Sequence, residues 1–526
     1  MSGIWRALTS IVLLLALGAC SYLKYASVQA EYARIQEANP GQINLKHMID
    51  RETHYVIGRT VDDSARYAGT ALAVAAFSSR YRANERVDTM FFSGAGTHFG
   101  LNLPEGDYRL LVFADLDRNR AFDSTEVVGE TRISVNRQAS PDKVLDRVDI
   151  ARTTPSRRPG VESFAGPARD APASSLFYPS GSIRSLDDPL FAANMATLGM
   201  YDPASFLEMA PTTFYALEED LGFKIPVVFV HGIGGSVRNF RAIIDRLDRS
   251  RYKPWFYYYP SGGDLDQLAE LFHRIFLSGE VVRLGRMPMI IVAHSMGGLI
   301  VREALNKVTN PQRENPVRLV VTIASPFGGH AAAATGEKHG LIVLPSWRDL
   351  NPESRFIGRL FRKPLPEMVT HRLVYAYRNP AGLKVGENSD GVVALSSQLR
   401  PEAQQQAAEQ RGFEASHVGI LQDEGLISDI LARMQQVKNF YPQAHLEVLQ
   451  RGGYGVTLSD QYGRLGRYLI GSMGRYLMAI SRGRLEPISE EQVDFLRAVR
   501  GEAPPSGEVV SDWLRFLREY PDIDRP

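Results

Sequence analysis

The chain of 526 residues is 44% hydrophobic and 23% charged, a globular composition with length for about three domains. Lysine plus arginine number 60 against 59 aspartate plus glutamate, so neither sign gives the electrostatic footprint of a nucleic-acid binder, and no nucleic acid is expected as a partner. The single cysteine, Cys20, excludes an intramolecular disulfide and a zinc site built from cysteines.

Residues 1–19 read as an export signal. Arg6 and the N-terminal amine supply a positive start, residues 11–17 an apolar core too short to span comfortably, and Gly18-Ala19 small residues at a cleavage point. An uncleaved signal anchor with an incidental cysteine is the competing reading. Residues 20–50 are read as anchor and helical stalk, with 22–38 helix-compatible and polar and a stop near Asn39-Pro40-Gly41. The run Leu17-Gly18-Ala19-Cys20 resembles a bacterial lipobox. That resemblance implies a lipidated Cys20 as the mature N-terminus, and in that family a residue other than aspartate next, here Ser21, favours the outer membrane. The expected address is the bacterial cell envelope, with the lipid anchor making the membrane a partner without a spanning helix.

Residues 51–150 change to strand texture. Short β-type runs at 55–58, 72–74, 88–92 and 108–113 are separated by turn residues such as Pro104-Glu105-Gly106-Asp107, which predicts a small all-β, antiparallel sandwich. Gly96-Thr97-His98-Phe99 together with residues 103–110 resembles the transthyretin-like accessory modules of secreted proteins. After the strongest run, Asp115, Asp117, Asn119, Asp123 and Glu126 stand at loop positions 1, 3, 5, 9 and 12, the spacing at which oxygen ligands converge on calcium. Position 6 is Arg120 where the sharp turn ordinarily takes glycine. A structural calcium ion and a solvated acidic turn with Asx-type hydrogen bonds are the two readings. Residues 151–186, rich in Pro, Ser, Ala and Arg, read as a mobile linker, with Arg152, Arg157 and Arg158 either solvated or at lipid headgroups.

From residue 187 to 440 strand runs alternate with helical spacing, which predicts an α/β domain with a mostly parallel sheet covered on both faces. Ile225-Pro226-Val227-Val228-Phe229-Val230 closes on His231-Gly232-Ile233-Gly234-Gly235, where glycines let backbone N–H groups face a site. A nucleotide loop is the competing use, but neither Gly-x-Gly-x-x-Gly nor a P-loop lysine is present. The apolar run 288–293 stops at His294-Ser295-Met296-Gly297-Gly298, and helical spacing begins at once. A serine on so tight a strand-to-helix turn needs small residues two before and two after it, and Ala293 and Gly297 supply them. Further strand runs are expected at 255–259, 319–324 and 372–377. Residues 330–370 read as an apolar, aromatic cap over an acyl pocket or as ordinary packing of connecting helices.

The two motifs 231–235 and 293–298 resemble the α/β-hydrolase fold, in particular small bacterial lipases and glycosylphosphatidylinositol inositol deacylase-like hydrolases, over about residues 210–435. The resemblance implies a Ser-Asp-His triad in that chain order, with an oxyanion hole from the N–H groups of Met296 and Ile233. Among the histidines after Ser295, His417 in Ala415-Ser416-His417-Val418-Gly419 resembles the catalytic-histidine loop, and His371 is held in reserve. Asp390 in Asn388-Ser389-Asp390-Gly391 resembles the acid loop, against a surface role for the same residue. His231 and His294 are read as structural. The expected activity is hydrolysis of carboxylic esters, lipid or other acyl esters, with no catalytic cofactor. An acyltransferase or thioesterase using the same triad, and a non-catalytic surface binding protein, are the alternatives. Residues 441–526 form a helical C-terminal extension, whose face of Tyr462, Leu465, Leu469, Tyr476 and Ile480 between arginines would pack on the hydrolase or touch membrane.

Overall fold

A computed structural model describes residues 53–61, 67, 70–78, 85–93, 98–141, 143–166, 175–178, 181–310, 314–379 and 388–523, with scattered positions between 24 and 38. Cys20, the expected export signal at 1–19 and much of the expected stalk lie outside the described residues. Among the described residues no helix is long and apolar enough to cross a membrane.

The sandwich is built from β1 (His54–Val61), β2 (Ala71–Ser78), β3 (Glu85–Ser93), β4 (His98–Leu103), β5 (Gly106–Ala114), β6 (Ala121–Phe122), β7 (Val127–Val135), β8 (Val144–Ala151) and β9 (Phe164–Ala165). One sheet runs β4-β1-β8, the other β3-β2-β5-β7, and β6 pairs with β9. Val56, Val74, Phe92, Leu101 and Leu110 fill the core between the sheets. Pairing is antiparallel with one exception, since β1 and β8 run parallel from Tyr55 opposite Val144.

The linker expected over 151–186 begins later than its composition suggests. Arg152 N–H donates to Val61 O, Thr153 N–H to Val128 O and Arg158 N–H to Ser124 O, so the chain stays on the sandwich as far as β9. The Arg158 guanidinium is held by Glu130 at 2.6 Å. Farther on, Tyr178 is buried, and Trp255 Nε1–H donates to its hydroxyl at 3.0 Å, so this stretch packs on the next domain. Over 151–166 prolines and serines mark an irregular path, and backbone hydrogen bonds fix it all the same.

The larger domain carries a seven-stranded sheet in the order β10-β12-β11-β13-β14-β15-β16, from β10 (Phe214–Ala216), β11 (Ile225–Val230), β12 (Tyr252–Tyr257), β13 (Met289–His294), β14 (Val317–Ile323), β15 (Thr370–Ala376) and β16 (Glu409–Phe413). Only β10 is antiparallel. β11 and β13 are buried at every position, as a central strand covered on both faces must be. The helices Leu265–Phe272 and Met296–Asn306 cover one face and Glu424–Gln435 the other. The sandwich rests on the first of these and the turn after it: Gln267 Nε2–H donates to Thr53 O and Lys143 O, and Arg274, just beyond the helix, pairs with Asp146 at 2.7 Å.

The cap holds the helices Ala331–His339, Pro345–Leu350 and Arg355–Arg359. Leu350, Phe356, Ile357 and Leu360 sink into the main core as ordinary packing, whereas Leu341 stands 74% exposed. In the C-terminal extension the helix Arg464–Ser481 bends at Met473, so Ile470, Tyr476 and Ile480 all turn inward onto Trp513, Phe516 and Phe223. Packing is the outcome for this face, while Leu465 and Leu469 are half-buried.

Candidate active site

Parallel strands deliver their following loops to one edge of the sheet, and the glycine turn after β11, Ser295 after β13, Asp390 after β15 and His417 after β16 all sit there. Ser295 ends β13 and caps the helix Met296–Asn306 at φ 55°, ψ −128°, a backbone region nearly closed to residues with a side chain. The turn is possible because the helix start presses onto neighbouring backbone. A Cβ on Gly297 would meet Val230 O at 2.5 Å and His231 O at 2.6 Å, and one on Gly298 would strike the Ser325 hydroxyl.

His417, in the loop after β16, places Nε2 2.9 Å from Ser295 Oγ. Its Nδ1 lies 2.6 Å from Asp390 Oδ2. A carboxylate only accepts, so Nδ1 carries the hydrogen and Nε2 is left to accept from the serine hydroxyl. All three residues are buried. Asp390 is saturated: Oδ1 accepts from Val392 N at 2.9 Å and Val393 N at 2.7 Å, and Oδ2 also accepts from Gln398 Nε2 at 3.1 Å. Gln398, fully buried, exchanges a pair of hydrogen bonds with the Ala376 backbone, which locks the acid loop to the end of β15. Nothing in the local sequence marks Gln398; it is found only through its contacts. Asp349, in the cap, accepts from Leu265 N–H at the start of a helix.

Gly232 lies so near that a Cβ on it would meet the Ser295 Cβ at 2.8 Å, which puts the Ile233 peptide beside the nucleophile. The loop is fixed by Ser261 Oγ, accepting from Gly234 N–H at 2.9 Å, and by Asn239 Oδ1, accepting from Ser236 N–H at 2.7 Å. Met296, the first helical residue, offers an N–H at the helix N-terminus, where the dipole favours negative charge.

Three other histidines are held by contacts of their own. His294 Nε2–H donates to His417 O at 2.8 Å, and its ring lies 4.8 Å from the His417 ring. His231 Nδ1–H donates to Gly232 O at 2.8 Å beneath the stacked ring of Tyr259. His371, the reserve base, is buried against Thr322 Oγ1 at 2.8 Å. Burial pushes His294 down to about 3 and His231 and His371 down to about 4, with the neighbouring His417 adding to the effect on His294. Below the ordinary histidine value of about 6.5 an unfolded chain takes up protons that the folded one refuses. Stability contributed by these groups is therefore intact above about pH 6.5 and lost as pH falls toward 4. Urea midpoints measured across that window should fall steadily, with replacement of His371 by asparagine flattening the dependence.

Of the expected calcium ligands, the carboxylates Asp115, Asp117 and Glu126 bring oxygens within 4.8 Å of one another, and the carboxylate of Asp123 is not in that group. Asn119 Oδ1 accepts from Ala121 N–H and Asp123 Oδ1 from Thr125 N–H, the Asx pattern of the competing reading. Arg118 and Arg120 make the turn at φ 61° and 63°, so the missing glycine is replaced by left-handed arginines.

A parallel sheet with an antiparallel edge strand, a serine elbow after the central strand, and an acid and a histidine after the last two strands decide the architecture. This is the α/β-hydrolase fold. Residues 265–372 match the lecithin:cholesterol acyltransferase family, a stretch that holds Ser295 and stops short of Asp390 and His417. Similar solved structures include the Bacillus licheniformis lipase BlEst2 in mature form, at 17% identity over 43% of this chain and 98% of that one with a TM-score of 0.34. Another is phospholipase PlaB from Legionella pneumophila, at 17% identity over 41% and 60% with a TM-score of 0.32. A third is Aspergillus fumigatus lipase B, at 14% identity over 59% and 72% with a TM-score of 0.34. No curated protein matches the chain.

Proposed function

We propose that the chain hydrolyses carboxylic acyl esters through Ser295, with His417 as base and Asp390 as its orienting acid. The observation that carries this reading is the unbroken line Asp390–His417–Ser295, at 2.6 and 2.9 Å, ending on a serine in a strained elbow. His417 Nε2 takes the hydroxyl proton as Oγ attacks the acyl carbon, and Asp390 stabilises the imidazolium. The N–H groups of Ile233 and Met296 receive the oxyanion. Collapse of the adduct expels the alcohol, which leaves with the proton from His417, and water repeats the sequence to release the acid.

Lipid esters are the substrate class of this reading, supported by the acyltransferase-family match and by the lipobox at Cys20, which would hold the enzyme at the outer membrane. The same match favours a second reading, transfer of the acyl group to an alcohol. Turnover of a series of acyl esters of rising chain length, with and without an added acceptor alcohol, separates the two. Free acid as sole product supports hydrolysis, a new ester supports transfer, and no turnover of any chain length removes both. A structural calcium ion on Asp115, Asp117 and Glu126 belongs to the same proposal, outside the chemistry. Calorimetric titration with calcium should show binding that Asp117→Ala abolishes; no heat from the unaltered chain dismisses it.

A further inference from the structure

We propose that the edge of the sheet bearing Ser295 docks on the lipid bilayer that anchors the chain, so that the site draws its acyl esters from its own membrane. This rests on the acyl-hydrolase reading and on lipidation at Cys20.

Single exposed hydrophobic residues are ordinary on protein surfaces. Here two of them flank the triad on separate loops and a third stands in the cap. Val392 is 52% exposed two residues beyond Asp390, Val418 is 53% exposed directly after His417, and Leu341 is 74% exposed in the cap. Acid loop and cap form one rim, because His330 Nε2–H donates to Val392 O at 2.8 Å.

The stalk lands on this rim. Residues 24–27 are helical, and the Tyr25 ring stacks on Tyr201 with centroids 5.4 Å apart and planes 19° from parallel. Tyr25 and Ala26 pack with Met200, Ile342, Leu344 and Trp347. Ile342 immediately follows the exposed Leu341. On its other side the landing place reaches the oxyanion loop, since a Cβ on Gly234 would meet Met200 Sδ at 3.6 Å.

The length of chain decides what covers the rim. Cys20 precedes Tyr25 by five residues, and five residues reach at most about 17 Å when fully extended. A lipid chain on Cys20 therefore holds Tyr25, and the apolar rim beside it, within that distance of the bilayer surface. Leu341, Val392 and Val418 then meet the acyl boundary, and an ester lipid need only rise into the site without crossing bulk water.

The test uses the full lipidated chain in vesicles of phosphatidylethanolamine and phosphatidylglycerol. A fluorogenic acyl ester lipid is placed either in the same vesicles or in separate ones, and a water-soluble short-chain ester serves as control. Turnover in the same vesicles should exceed that in separate ones by about tenfold or more. Tyr25→Ala and Leu341→Asp should each lower same-vesicle turnover about tenfold while leaving the soluble ester within about twofold. Equal rates in the two vesicle arrangements overturn the proposal. So do variants that keep the same-vesicle rate, or that lose both activities in proportion. Failure of the unaltered chain on the soluble ester would instead remove the hydrolase reading, and this one with it.

Discussion

Ser295→Ala should lower acyl-ester turnover by about six orders of magnitude, because nucleophile and base act as one unit and the remaining oxyanion donors give only residual catalysis. Stability should hardly move. Serine already occupies φ 55°, ψ −128°, and alanine meets the same Cβ clash there. Ser295→Gly separates the two effects. Glycine enters that region without strain, so the variant should be as inactive as the alanine form yet more stable by about 1 kcal/mol, the released strain exceeding the extra chain entropy of glycine. Thermal unfolding of the three proteins under identical conditions checks the order. A glycine variant less stable than the alanine one contradicts the strained elbow.

Asp390→Asn should cost about four orders of magnitude in turnover with the fold intact. Both oxygens of Asp390 face donors only: Val392 and Val393 N–H on one, Gln398 Nε2–H and His417 Nδ1–H on the other. An amide NH2 in either place confronts an N–H. If it faces His417, the imidazole must move its hydrogen to Nε2 and loses its ability to take the serine proton. If it faces Val392 and Val393, both backbone donors lose their acceptor, and the buried one at Val393 costs about 1–3 kcal/mol. Loss of turnover together with a lowered urea midpoint is the expected pattern. A variant with near-normal turnover would show that Asp390 does not orient the base.

The motifs legible in the sequence are those in which local chain and site coincide. The elbow at Ser295 and the glycine turn after Val230 each declare a strand end, a tight turn and a small-residue requirement within a dozen residues. Asp390 and His417 were found through resemblance and chain order, and the structure brings both to Ser295. β16 shows why reading stops where it does. Its sequence Glu409-Gln410-Arg411-Gly412-Phe413 is polar, because an edge strand with one partner buries only Phe413 of the five, yet its pairing with β15 aims the His417 loop. Gln398 is silent for another reason: a buried amide matters through groups distant in sequence, here Asp390 and Ala376. Composition misled at 151–166, where prolines and serines conceal a chain tied to the sandwich by backbone hydrogen bonds.

Labelling of the purified chain with a fluorophosphonate, followed by mapping of the adduct, tests the central claim most directly. One adduct per chain on the peptide holding Ser295, abolished by Ser295→Ala and slowed by Asp390→Asn, is the predicted result. No adduct, or an adduct of equal yield in Ser295→Ala, would contradict it.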